Sequence, residues 1–265
     1  MLVLLPPSEG KAAGSTGPVL DVAGLSLPDL NATRERVVDS LITLCEGDER
    51  AALEVLGLGP KLRGEVLRNL ELREAPTLPV SELYTGVLYD ALGLGTLDRA
   101  AAKRADRSVL VFSGLWGALR PSDRVPAYRL SMGVRLPGLD ALPGLWREAM
   151  AKPLPQRAGD GLVLDLRSAA YAAAWRPEGE VAARTATVRV LHERVVDGVV
   201  KRSVVSHFNK ATKGRLTRQL LEADTEPRNP AELAEALRDL GWTVEVKPPA
   251  KRNSAWALDV VVAEI

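Results

Sequence analysis

This 265-residue chain has only two histidines and one cysteine. Those counts exclude a histidine-rich metal site and the paired cysteines of zinc or iron–sulfur centres, so no metal and no cofactor is expected. The lone Cys45 also excludes a disulfide framework and fits a reducing compartment. No apolar run approaches the ~18 residues of a membrane span. Met1 to Leu5 is apolar but stops at Pro6-Pro7, without the basic flank and length of a signal peptide. A cytoplasmic protein with no membrane partner is therefore expected. Charge of one sign is also missing: the net charge is +1, so bulk electrostatics does not call for nucleic acid. No G-x-S-x-G elbow, G-x-G-x-x-G fingerprint, H-E-x-x-H helix or phosphate-binding G-x-x-x-x-G-K-[ST] loop is present.

What is there is ordinary globular material, 46% hydrophobic and 26% charged. A chain of this length buries about three quarters of its extended surface, so it folds without staples. Leu2 to Leu5, Ser108 to Phe112 and Gly161 to Leu166 read as buried strands. Thr185 to Glu193 and Val199 to Phe208 read as β-rich runs, joined through Asp197-Gly198, a type I′ hairpin signal. Helices are expected from Asn31 through Cys45, over Ser81 to Leu92, over Asp98 to Asp106 and from Lys210 to Ala223. Asn229-Pro230-Ala231-Glu232 starts another, with an Asn cap, Pro at the first position and Glu in the first turn. Strands follow at Trp242 to Val246 and Trp256 to Val262. The pattern predicts an α/β protein, a mixed β-sheet with packed helices, forming a single domain over residues 1–265.

Several stretches carry chemistry. Ser8, Gly10 and Lys11 follow the end of the first strand, where α/β folds gather ligands; a solvated surface lysine is the plain alternative. Ser113 and Gly114 follow another strand, and Trp116, Arg120, Tyr128 and Arg129 crowd the loop after it. Aromatics beside arginines suit stacking plus pairing with phosphate or carboxylate, and an Arg120–Asp123 structural loop is the alternative. His207, Asn209, Lys210 and Lys213 fall at a strand-to-helix junction, whose free N–H groups favour an anion. His207 is a general-base candidate by its near-neutral pKa, and a structural histidine is the alternative. From Lys201 to Arg218 there are six basic residues and no acid. Leu56-Gly57-Leu58-Gly59-Pro60 is similar to the turn of a helix-hairpin-helix, with Lys61, Arg63 and Arg68 placed for DNA phosphates; an ordinary helix turn is the alternative.

Five blocks, in order, resemble the YaaA family of peroxide-stress proteins. They are Leu5–Lys11, Leu83-Tyr84-Thr85-Gly86, Phe112–Asp123 continuing to Pro126–Gly133, Leu164–Tyr171 and Val205–Gly214. The third is the most specific. The first reads Pro-Pro-Ser-Glu-Gly-Lys where many members read closer to Ser-Pro-Ala-Lys-Thr, as in an actinobacterial-type branch. Ala170 stands where some members carry an acid, and His207 where others carry an aromatic or aliphatic residue. The resemblance implies a YaaA-like fold, a role in limiting hydrogen peroxide damage, and binding of double-stranded DNA.

Two functions remain open from the sequence. One is a stress protein whose basic aromatic cleft binds double-stranded DNA without sequence preference. The other is an enzyme acting on a small anionic ligand, a nucleotide or an acyl group, in the same cleft. Ser8, Lys11, Asp165, His207 and Lys210 are the catalytic candidates. Tyr84, Thr85, Ser113, Trp116, Arg120, Tyr128, Arg129, Ser168, Asn209 and Lys213 are the anion-binding ones.

Overall fold

Four consecutive apolar residues with no alternation need burial on both faces. Leu2–Leu5 obtain it as β1, a central strand in which every residue is buried. The structure, a computed structural model, describes the chain except residues 13, 15, 197, 198, 205, 250, 264 and 265; the side chains of 195, 196, 206, 207 and 263 are also outside the description. After β1 come α1 (Asn31–Glu46), α2 (Glu49–Leu56), α3 (Arg63–Leu70), β2 (Leu78–Pro79), α4 (Val80–Leu83) and α5 (Val87–Leu92). Next are α6 (Arg99–Ser108), β3 (Val109–Ser113), β4 (Gly117–Leu119), β5 (Arg124–Val125), α7 (Leu142–Met150) and α8 (Pro153–Ala158). Then follow β6 (Val163–Asp165), α9 (Ala169–Ala172), α10 (Gly179–Ala183), β7 (Thr185–Val196) and β8 (Val199–Ser203). The chain finishes with α11 (Ser206–Glu222), α12 (Pro230–Asp239), β9 (Thr243–Lys247) and β10 (Trp256–Ala263).

The expected mixed sheet with packed helices is present. Eight strands join in the order β4-β3-β1-β6-β7-β10-β9, with β8 paired to β7. β3, β1, β6, β7 and β10 run parallel, while β4, β8 and β9 pair antiparallel. A separate two-stranded ribbon is made by β2 and β5. β1 is flanked by β3 on one side and β6 on the other. The strand order therefore reverses at β1, and such a switch point opens a crevice beyond the carboxyl ends of the strands.

Local signals account for several boundaries. Asn229 caps α12 as expected, accepting from the amides of Ala231 and Glu232 at 3.0 Å each. Asp98 caps α6 in the same way, accepting from Ala101 N at 2.7 Å. Other boundaries differ from the sequence pattern. The helical stretch Ser81 to Leu92 is split into α4 and α5 by Tyr84–Gly86, where Gly86 takes a left-handed φ of 97°. The β run starting at Val199 ends at Ser203, and α11 already begins at Ser206. The Asp197-Gly198 turn lies outside the described residues, though Val196 and Val199 on either side of it pair. Helices α7 and α8, which the sequence pattern did not bring out, carry a proline within their first two positions, where it is tolerated. No described helix is long and apolar enough to cross a membrane.

α11 lies against α5 so closely that a Cβ on Gly214 would collide with the carbonyl oxygen of Leu88. That contact brings the first turns of α11 to the same end of the sheet as β1's carboxyl terminus.

Candidate functional site

The segment leaving β1 turns at Pro6-Pro7 and places Ser8, Glu9 and Lys11 along the wall of a cavity of about 490 Å3. Ser168 and Tyr171, which follow β6, form another wall; Tyr89 of α5, Tyr128, Arg129 and Ser131 complete it, and Lys210 of α11 stands at its edge. The cavity therefore sits at the switch point created by the strand order. Its lining holds three basic side chains, Lys11, Arg129 and Lys210, against one acid, Glu9.

A buried hydrogen-bond chain fixes the floor. Ser113, the last residue of β3, accepts from the amides of Leu115 (3.1 Å) and Trp116 (3.0 Å). Both acceptor positions of its hydroxyl are then used. Its proton must go to Tyr128 Oη at 2.6 Å, and Tyr128 in turn donates to Tyr84 Oη at 2.9 Å. Tyr84 stacks on Tyr89 with centroids 5.1 Å apart, and Tyr89 donates to Pro6 O at 2.6 Å. Burial pushes the phenols of Tyr84, Tyr89 and Tyr128 up from their ordinary value. The floor is a neutral, rigid array of phenols.

Lys11 lies over that floor. Its backbone bridges to Tyr84, and its Nζ donates to Ser8 O at 2.9 Å while sitting 4.2 Å from the ring centroid of Tyr128. Among the described residues no carboxylate pairs with it. Burial first, and then the guanidinium of Arg129, lower its pKa to about 7, with Glu65 and Glu9 acting weakly in the other direction.

Arg129 is held from behind. Asn69, buried in α3, donates to Arg129 O and accepts from Arg129 N, each at 2.9 Å. Its guanidinium reaches Glu9 at 2.8 Å, and the Glu9 side chain is 77% exposed, so this pair is easily displaced. Gly114 sets the depth of the cleft: a Cβ there would lie 2.9 Å from Leu130 O, so only glycine lets the two loops approach.

The sequence candidates separate into three groups. Ser8, Lys11, Tyr128, Arg129, Ser168 and Lys210 meet at the cavity. Tyr84 and Ser113 lie beneath it in the hydrogen-bond chain, and Thr85 abuts the first loop through a bond from its amide to Gly10 O at 3.1 Å. The remainder lie elsewhere. Trp116 is fully buried, edge-on to Tyr128. Asp165 is buried and gripped at both oxygens by Arg167, at 2.8 and 2.6 Å. Lys213 donates to Leu166 O at 3.2 Å behind the cavity, its pKa lowered by burial. Asn209 is partly buried, with a side-chain oxygen that finds no partner among the described residues. The His207 side chain lies outside the described residues.

Arg120 does not join the site. β4 runs back along β3, so Arg120 falls toward the opposite end of the sheet, beside Arg157. Asp123 is occupied by Ser26 and by the backbone amide of Arg120. Sequence reasoning missed Glu9, Asn69, Tyr89 and Tyr171. Glu9 lay inside a block already singled out; Asn69 gave no signal beyond a polar residue on the apolar face of a short helix.

The hairpin-like segment is present as α2 and α3, joined through Gly57, which takes a left-handed φ of 65°. Lys61 is exposed, Arg63 pairs with Glu49 at 3.4 Å, and Arg68 pairs with Glu65 at 2.6 Å. A shallow groove of about 760 Å3 runs from Gly57 and α2 to Glu9, Arg129 and Ser131, and so meets the cavity.

Comparison with known proteins agrees with this picture. The profile of the family described as "Peroxide stress protein YaaA" matches residues 1–247. A UPF0246 protein of Streptomyces coelicolor is 64% identical over 265 residues, the full length of both chains. UPF0246 proteins of Corynebacterium efficiens and Corynebacterium glutamicum are 41% and 38% identical, each covering 96% of this chain and 98% of their own. A match spanning nearly every element of the fold, the loops around Lys11 and Arg129 included, shows that the chain belongs to the family of the peroxide stress protein YaaA.

Proposed function

We propose that the cavity is an active site for a small anionic substrate, the size of a nucleotide or an acyl adduct, and that its reaction contributes to resistance against peroxide. The observation that carries this reading is Lys11: a lysine amine with no carboxylate partner among the described residues, set over Tyr128 inside a partly enclosed cavity beside Arg129. A volume of about 490 Å3 is in the range of small-molecule sites. Arg129 supplies two-point recognition of phosphate or carboxylate, with the Glu9 carboxylate occupying that position until a substrate displaces it. Lys210 adds a mobile charge at the rim.

The second reading, binding of double-stranded DNA, is favoured by one specific feature. The turn between α2 and α3 exposes Lys61 and Arg63, and the groove from this turn leads to Arg129. DNA held there would be read through phosphates alone.

Arg129→Lys separates the two. It keeps the charge but loses the planar fork. If the site fixes one small substrate, misplacement lowers its rate about a hundredfold, ~3 kcal/mol of transition-state energy. If Arg129 is one of many phosphate contacts, the swap costs under ~1 kcal/mol of DNA affinity. Measured together, lost peroxide protection with normal DNA affinity supports the enzyme. Proportional loss of both supports the DNA-binding protein and removes the enzyme reading.

A further inference from the structure

Lys11 is held unlike the other cationic groups of the cavity. Arg129 has Glu9 as its counterion, and Lys210 is exposed to water. Lys11 is half-buried and pairs with no carboxylate among the described residues: its Nζ is anchored by Ser8 O at 2.9 Å and, at 3.4 Å, by Glu9 O. A lysine kept as a phosphate clamp gains from being charged. One placed in a desolvated pocket next to another cation is instead set to act as a neutral amine.

The groups that face Lys11 come from each surrounding segment. Glu9 belongs to its own loop, and Arg129 to the loop after β5. Glu65 and Arg68 come from α3, where they pair with each other at 2.6 Å. The rings of Tyr84 and Tyr128 lie 5.4 and 4.2 Å from the Nζ. Burial and then Arg129 act most strongly on the amine; Glu65 and Glu9 act against them, and Arg68 adds to them.

We propose that Lys11 is the nucleophile of an imine-forming site that takes an aldehyde or ketone carried on an anionic molecule. The inference rests on the small-anion reading, because Arg129 and Lys210 would hold the anionic group while Lys11 meets the carbonyl. The lone pair of Nζ attacks the carbonyl carbon, and the C=O π pair passes to oxygen, which takes up a proton. The carbinolamine then loses that oxygen as water as the C=N bond forms, so the amine and carbonyl give the imine and one water. The hydroxyls of Ser8, Ser131 and Tyr171 line the cavity and can relay the protons. The lowered pKa of Lys11 supplies unprotonated amine at neutral pH, where an ordinary lysine has almost none.

The test is reductive trapping on the full chain with cyanoborohydride, at a pH of about 7.5, well below the ordinary lysine pKa. Two probes are used separately: glyceraldehyde 3-phosphate, and a duplex oligonucleotide carrying an abasic site, whose opened sugar is an aldehyde beside phosphates. Peptide mapping should place the adduct on Lys11, formed faster than at Lys61 or Lys210 by about tenfold or more. Lys11 lies within the cavity beside Arg129 with its amine lowered toward neutrality, while Lys61 is exposed and Lys210 stands at the rim. Lys11→Arg and Lys11→Met should both lose it, with folding verified by thermal unfolding. An adduct with the phosphorylated aldehyde supports the proposal; an adduct with the duplex alone overturns it as stated, because the carbonyl is then carried on DNA and not on a small anion. Absence of an adduct with both probes, or labelling spread evenly over the lysines, overturns the proposal. Glycerol 3-phosphate, the same anion without a carbonyl, is titrated in parallel. If it binds and no adduct forms, imine chemistry falls and the small-anion reading stands. If it does not bind and no adduct forms, both fall.

Discussion

The cavity wall and the α2–α3 hairpin both present basic side chains, but they are built differently. In and beneath the wall, several groups are fixed by a second one: Ser113 orients Tyr128, Tyr128 orients Tyr84, and Asn69 clamps the backbone of Arg129 through both its N–H and its carbonyl. On the hairpin, Lys61 and Arg63 are solvated, and the nearest acid, Glu49, stands 3.4 Å from Arg63 with both side chains well exposed. Preorganised groups of the first kind suit recognition of one defined ligand, because little ordering remains to be done when it arrives. Solvated charges of the second kind suit a polyanion met through many interchangeable contacts. The difference in construction implies that substitutions in the buried groups supporting the wall disturb stability and ligand binding together, while those on the hairpin change only polyanion affinity.

The largest expected effect is at Asp165. As the buried counterion of Arg167, whose guanidinium also stacks 4.2 Å from the Phe112 ring, it supports the floor rather than facing the cavity. Asp165→Ala leaves a buried, unpaired guanidinium and should destabilise the protein by about 3–5 kcal/mol. Urea unfolding measures this; unchanged stability with lost activity would return Asp165 to the catalytic group.

Next is Asn69→Ala. It removes two hydrogen bonds from the Arg129 backbone, so about 2–3 kcal/mol of stability should be lost. Binding of phosphate-bearing ligands should weaken too, since Arg129 loses its support. A stable variant with intact ligand binding would show that the clamp is not what positions the arginine.

Glu9→Gln comes third. The ion pair with Arg129 is exposed, so stability should change by less than ~1 kcal/mol. Ligand affinity should rise, because the carboxylate no longer competes for the guanidinium. A fall in affinity would mean that Glu9 contacts the ligand directly.

The smallest stability effect belongs to the hairpin. Lys61→Ala with Arg63→Ala should alter stability by no more than about 0.5 kcal/mol. If the hairpin meets DNA, the log–log salt slope of binding should flatten by about two. An unchanged slope takes the hairpin out of any DNA contact.

The sequence made the frame of this molecule legible where one signal dominated. Leu2–Leu5 had to be a buried strand, and Asn229-Pro230 had to start a helix. The site was legible where its residues sat next to such elements, as with Ser8 and Lys11 after β1. It was not legible where topology intervened. Arg120 is only nine residues from Arg129, yet the antiparallel β4 carries it toward the other end of the sheet. Trp116 looked like a stacking platform because it follows β3 in a loop with arginines; it is fully buried instead, edge-on to Tyr128, with Arg34 bonded to its carbonyl at 3.0 Å. Asp165 and Arg167 lie two apart along one strand end, a spacing that does not reveal their pairing.

The central claim is that the wall holds Lys11 as an amine that gives up its proton near neutral pH, and its titration tests this most directly. The ring face of Tyr128 and the Ser8 carbonyl favour the charged form; burial and Arg129 oppose it and prevail. Because the folded pKa lies below the unfolded one, the folded chain releases this proton first. Stability from this group therefore rises with pH from about 7 toward the ordinary lysine value near 10.5, and Lys11→Met removes that rise. Nitrogen-15 NMR of the Lys11 Nζ, assigned by difference against Lys11→Met, should show a midpoint near 7. A Lys11 midpoint near the ordinary 10.5 would contradict the account.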